Sequence, residues 1–254
     1  MSKKLVINAD DYGLTEDANK AVIECFTRGA VTDMSLLVVG DSFEHAVKLA
    51  RKNNINKIGV HLALTGPFKP LTPARFSKSY IPFLIRYFAG LVKKEEIYAE
   101  FKNQILKVKK EGFAITHLDS HQHIHMVPGI LKIVIKLMKE ENIDYVRFPK
   151  EKINIFTELM DPLAIIRSLM LLPMCGLSER LLDVPGIKHN DYFAGHSRAL
   201  RLRKKDLLRA ISNLKDGLTE LGCHPWNREE ERAALCDKGL VDEIKARSIE
   251  LVSY

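Results

Sequence analysis

Apolar runs of strand length alternate with amphipathic helical stretches along most of this chain. Residues 5–7 make a short buried-strand pattern that ends at Asn8-Ala9-Asp10-Asp11. Ala18, Ala21, Val22 and Phe26 then recur at helical spacing, with Thr15 as a candidate cap at the entry and Gly29 at the exit. A second strand is expected over 35–39, then a helix carrying Phe43, Ala46, Val47 and Ala50, then a third strand over 57–64. Pro67, Pro70, Pro73 and Pro82 interrupt the rhythm before a helix over 97–108. A strand over 114–118, a helix over 130–138 and a strand over 145–148 restore it. The apolar run 163–172 is interrupted by Arg167 and Ser168 and stops at Pro173. A helix over 207–214 and strands over 218–221 and 250–252 complete the pattern. Alternation on this scale predicts an α/β fold with a mostly parallel sheet and right-handed crossovers. No linker, repeat or composition boundary divides the chain, so one domain over 1–254 is expected.

Composition narrows the function classes. A chain of 254 residues with 46% hydrophobic and 28% charged residues is ordinary for a globular enzyme. The net charge of +7 comes partly from Lys107, Lys109 and Lys110 and from Arg198, Arg201, Arg203, Lys204 and Lys205. Such clusters attract nucleic acid, anionic lipid or phosphorylated ligands. Solvated helix faces explain them as well, and no aromatic residues interleave to make a stacking platform, so no nucleic-acid partner is expected. Cys25, Cys175, Cys223 and Cys236 are widely spaced, with no C-x-x-C pair, which fits neither a disulfide framework nor a structural zinc site. Nothing after Met-Ser-Lys-Lys resembles a signal-peptide core, and no apolar run approaches the ~20 residues that span a bilayer. A reduced, cytoplasmic protein with no membrane span is expected.

The chemistry concentrates in His117-Leu118-Asp119-Ser120-His121-Gln122-His123-Ile124-His125, which holds four of the nine histidines. Alternate residues of an extended segment share a face, roughly 7 Å apart, so 117, 119, 121, 123 and 125 are expected to line one wall. Imidazole is the commonest side-chain metal ligand, and a core has no use for so many polar nitrogens. Asp10 and Asp11 follow a strand. A helix-entry aspartate accounts for one of them but not for two, because adjacent carboxylates repel unless a cation separates them. His61 is a lone polar residue in an apolar strand, either structural or a ligand. Asp11, His61 and His121 together offer one oxygen and two nitrogens and leave coordination positions open, as catalytic metal sites do. His224, held extended by Pro225, is either a proton donor or a structural histidine. All these residues fall at or just beyond expected strand ends, the edge where active sites of α/β folds collect.

In this order the blocks Asn8-Ala9-Asp10-Asp11-Tyr12-Gly13-Leu14, Gly59-Val60-His61-Leu62, Thr116 through His125, Arg147-Phe148-Pro149 and Cys223-His224-Pro225 resemble the YdjC-like carbohydrate deacetylases. That resemblance implies a deformed (β/α) TIM-like barrel related to the polysaccharide deacetylases, and metal-dependent removal of N-acetyl groups from amino sugars. It implies Asp11, His61 and His121 as metal ligands, Asp10 as general base, His224 as general acid and Arg147 as the residue that steadies Asp10. His125 would be a supporting or substrate-facing residue. The resemblance implies magnesium as the metal, whereas two imidazoles suit zinc or another transition ion better. Trp226 stands where the family commonly has a small residue, and so narrows the sugar pocket or offers a stacking face. Segment 67–87, rich in Phe68, Phe76, Tyr80, Phe83 and Tyr87, is either a lid over substrate or a subunit contact, which makes a homodimer an option. Two other functions are open: metal-assisted phosphoester hydrolysis, and sugar binding by a vestigial site.

Overall fold

A computed structural model describes residues 2–151, 162–183 and 185–254. The strands are β1 (Lys3–Tyr12), β2 (Asp33–Leu36), β3 (Lys57–Leu62), β4 (Ala114–Ser120), β5 (Tyr192–Ala194), β6 (Gly217–Cys223) and β7 (Ile249–Leu251). Their order is β4-β3-β2-β1-β6-β5, with β7 on β1, and every pairing is parallel. Parallel neighbours need long crossovers, and helices supply them. These are α1 (Glu16–Arg28), α2 (Phe43–Lys52), α3 (Tyr80–Phe88), α4 (Lys94–Lys110), α5 (Pro128–Glu141), α6 (Pro162–Leu182), α7 (Lys204–Ser212), α8 (Glu229–Leu235) and α9 (Lys238–Ala246). From Leu5 onward β1 is buried at every position, because its two faces meet the barrel interior and the helix layer. Thr15 caps α1 as expected, its hydroxyl accepting the Ala18 N–H.

The edges β4 and β5 do not stay open. Residues 145–151 run between them through single parallel bridges, Leu118 to Val146, Tyr145 to Lys188 and Glu151 to Phe193. The regular strand expected over 145–148 is replaced by this stitching. The Asn190 side chain stands in for a missing ladder, accepting from the Phe148 N–H at 2.8 Å and donating to the carbonyls of Phe148 (2.8 Å) and Tyr192 (2.9 Å). The ring closed in this way is a deformed (β/α) barrel. Tyr254 packs across its lower end, with its ring 4.3 Å from that of His117 and 4.1 Å from that of Tyr145.

Some element boundaries differ from the sequence expectation for local reasons. β3 stops at Leu62 because the Gln104 side chain takes over both the N–H and the carbonyl of Ala63. Helix α6 continues through Pro173 to Leu182 instead of ending there. The interrupted region around the four prolines contains α3, and β5 was concealed by its three-residue length. Among the described residues, no helix is long and apolar enough to cross a membrane.

Replacing Asn190 with alanine leaves buried N–H and carbonyl groups at the closure without partners. The expected loss is on the order of 3 kcal/mol of unfolding free energy by urea titration. A loss under about 0.5 kcal/mol would show that this side chain does not hold the barrel shut.

Candidate functional site

Neighbouring residues of a regular strand point to opposite faces, yet the side chains of Asp10 and Asp11 converge on the same rim. The register between β1 and β2 slips between Ala9 and Tyr12, and Asp11 lies in the left-handed region at φ 63°. Aspartate tolerates that conformation better than most residues, so the bulge re-aims one carboxylate without a glycine. His61 comes from the end of β3, His121 from the residue after β4 and His224 from the residue after β6. The rim formed by these strand ends therefore carries the cluster.

Asp11 Oδ1 lies 3.4 Å from His61 Nε2 and 3.1 Å from His121 Nδ1. One donor atom from each of these three residues falls within 4.8 Å of the other two, a spacing that fits a single cation. His61 Nδ1 donates to Asp119 Oδ1 at 2.9 Å, which aims Nε2 at Asp11. Asp10, His61 and Asp119 also lie close enough to hold an ion. Both aspartates there already engage Arg147, whose guanidinium charge opposes a second cation, so the Asp11 set is the better candidate.

Arg147 is fully buried. It grips Asp10 with two parallel hydrogen bonds of 2.7 Å, reaches Glu220 at 2.6 Å and lies 2.8 Å from Asp119. Ser35 Oγ donates to Asp119 and accepts from Asn8 Nδ2, both at 2.8 Å. Asn8 Nδ2 also donates to Asp10 at 2.8 Å. His224 Nε2 stands 3.9 Å from Asp10 Oδ2, and its Nδ1 is buried without a protein partner.

The histidine tract does not form one wall. β4 is extended only to Ser120, and the chain then coils into a 3-10 segment, His121–Met126, with Gln122 and His123 at positive φ. His117 remains beneath the rim, 3.0 Å from Ser35 Oγ and 2.9 Å from Thr116 Oγ1. His123 turns toward Phe193 and His196. His125 is buried, donates from Nε2 to the Arg147 carbonyl at 3.0 Å and accepts from Ser120 Oγ at Nδ1. Both its nitrogens are engaged inside the protein. Trp226 is half-buried, and its indole N–H has no protein partner. Phe68 packs its ring edge-on to His121, with centroids 5.4 Å apart.

Charge and burial compete throughout the cluster. Burial would raise the Asp11 carboxyl, but hydrogen bonds from His121 and His61 hold it well below the usual carboxylate range. Burial would likewise depress His61, and the charge of Asp119 overrides it, so the ring titrates well above an ordinary histidine. At His117 and His125 burial outweighs the upward pull of the Asp119 charge and lowers each to about 4. Burial raises Glu220 to about 7 even beside Arg147.

Asp119 was visible in the sequence as part of the histidine tract, though without a role; Ser35 and Glu220 were not singled out. The signal for Glu220 was an acid in the middle of the apolar strand 218–221, as His61 is in β3.

The chain is 27% identical over 99% of its length to a protein of Clostridium beijerinckii named carbohydrate deacetylase, covering 98% of that protein. A Brevibacillus brevis protein of the same name is 35% identical over 58% of this chain and 59% of its own length. A solved structure from Enterococcus faecalis V583, named as a candidate cellobiose-phosphate cleavage protein, superposes with a TM-score of 0.76 at 25% identity, covering 100% of this chain and 98% of that one. The family description of YdjC-like proteins matches residues 4–246, and the chain belongs to that family.

Proposed function

We propose that the chain is a single-domain, divalent-metal-dependent N-deacetylase of amino sugars. One observation carries the reading: Asp11, His61 and His121 converge on the rim where Asp10 and His224 stand side by side. Membership of the YdjC-like family and the names of the two bacterial relatives support the sugar and the acetyl group. His61 in an apolar strand and Asp11 on a bulge are buried polar residues whose donor atoms suit one ion.

Asp11, His61 and His121 would hold the ion, which when bound polarises the acetamide carbonyl and acidifies the attacking water. Asp10 takes the proton from that water as the new carbon–oxygen bond forms. Arg147 fixes the Asp10 carboxylate in one plane, and Asn8 donates to one of its oxygens, so the base is aimed before substrate arrives. An amine leaves poorly until it is protonated, and His224 supplies the proton as the carbon–nitrogen bond breaks. Its Nε2 stands 3.9 Å from Asp10 Oδ2, so base and acid border the same reaction centre. Trp226, two residues beyond His224 and half-buried, would offer an aromatic face to a sugar ring. Magnesium comes first by resemblance, and the two imidazoles argue for a transition ion. Four free thiols suit a reducing compartment, and we assign the enzyme to the cytoplasm.

The test is acetate release from a panel of N-acetylated sugars, including diacetylchitobiose and its phosphorylated form. Metal-stripped protein would be resupplied with magnesium, zinc, cobalt or manganese. Metal-dependent acetate is expected, falling by roughly 10²-fold or more in Asp10→Asn while metal binding persists. Phosphate released in place of acetate would sink the deacetylase reading in favour of phosphoester hydrolysis; metal binding with no turnover would favour a sugar-binding protein.

Asp119→Ala removes the acceptor that orients His61. Metal affinity by calorimetric titration is expected to weaken by about 10- to 100-fold. Unchanged affinity would mean that His61 is not a ligand.

A further inference from the structure

We propose that the Gly66-to-Lys94 excursion, with the adjoining face of α6, is a docking surface for an anionic lipid bilayer. Residues 66–94 include Lys69, Arg75, Lys78, Arg86, Lys93 and Lys94 and no aspartate or glutamate. All six cations are exposed, and among the described residues none of them forms an ion pair. Elsewhere on the surface lysines and arginines are commonly matched, as Lys20, Arg51, Lys102, Lys109 and Lys188 are. The excursion thus carries six exposed cations, with no acid in its own sequence and no ion pair to them among the described residues.

Its apolar residues point the same way. Helix α3 turns Phe83 into the core, where it stacks with Tyr87. Ile81, Ile85 and Phe88, at i, i+4 and i+7, form a second stripe that is more than half exposed, and Leu91 continues it. The Tyr80 hydroxyl reaches Met174 Sδ at 3.4 Å, so α6 lies alongside. On α6, Ile166, Leu169 and Leu177 are also more than half exposed and lie on one side of the helix, about three turns apart end to end. An apolar ridge bordered by long cationic side chains is the composition of a segment that lies in a bilayer interface, with side-chain stems along the hydrocarbon and charges at the headgroups.

A second copy of the chain is the competing occupant. A closed twofold contact would face this surface with itself, bringing two sets of unpaired cations together with only Glu95 and Glu96 at the edge to answer them. Anionic headgroups answer both the charge and the apolar ridge. The same excursion starts beside the candidate metal centre, where Phe68 touches His121 and the Thr65 hydroxyl donates to Gln122. Docking here would bring the mouth of the site to the membrane surface, though the surface itself is independent of the reaction performed.

The experiment is vesicle co-sedimentation of the full chain, paired with sedimentation velocity in solution. Phosphatidylcholine vesicles containing phosphatidylglycerol as about a third of the lipid are expected to bind the protein at low salt. Pure phosphatidylcholine, or high salt, should weaken binding about tenfold or more. Ile85→Glu/Phe88→Glu and Lys93→Glu/Lys94→Glu should each cost a similar factor with unchanged melting temperature. The charge-reversal pair keeps the test decisive if the apolar pair misfolds. Absence of binding to anionic vesicles would overturn the proposal, as would binding that both variants leave intact. A dimer dissociated by Ile85→Glu/Phe88→Glu, without vesicle binding, would assign the face to a second copy and overturn it as well.

Discussion

Arg147 has no exposed atom, so its charge must be matched inside the barrel. Three carboxylates do this: Asp10 from β1, Asp119 from β4 and Glu220 from β6. A guanidinium presents its donors in a fixed plane, and each partner must therefore arrive from its own direction. The arginine in this way fixes the relative positions of three strand ends. Burial of such a network is weak evidence for stability, but removing one partner would strand an uncompensated charge. Its tangible product is aim, because Asp10 and Asp119 leave the network pointing at the rim.

The same network supports the neighbouring cluster. Asp119 is shared between Arg147 and His61, and its grip on Nδ1 determines which imidazole nitrogen faces Asp11. His125 holds the backbone at Arg147 from behind, and Ser35 and Asn8 tie Asp119 to Asp10. The chain departs from regular structure where the cluster needs an unusual direction, at Asp11 and at Gln122 and His123. Non-glycine residues at positive φ persist where surrounding contacts over-determine them, and here those contacts surround the candidate chemistry.

Much of this was legible in the sequence. Alternating strand and helix patterns gave the parallel architecture, and Asp10, Asp11, His61 and His224 stood out as polar residues at the ends of apolar runs. Local periodicity could not reveal the closure by residues 145–151, where a side chain from position 190 replaces backbone pairing. It also misjudged the histidine tract, because alternate residues share a face only while the backbone stays extended, and β4 ends before His121. The 3.1 Å approach of Cys25 and Cys236 is another product of the fold, invisible to residue spacing. Glu220 shows the opposite limit: its signal was present, but only the buried guanidinium opposite it gives an acid in an apolar strand its meaning.

Charge balance links the fold to the chemistry. Asp10, Asp11, Asp119 and Glu220 are buried together against the one guanidinium of Arg147. Two responses to the surplus are visible: Glu220 is pushed toward neutrality by burial, and His61 retains its proton well above the ordinary range beside Asp119. A divalent cation held by Asp11, His61 and His121 would offset the same surplus more fully and displace the proton from the face of His61 turned toward it. Metal affinity, the protonation of His61 and the stability of the barrel rim are thus expressions of one electrostatic constraint, set by an arginine that the barrel cannot expose.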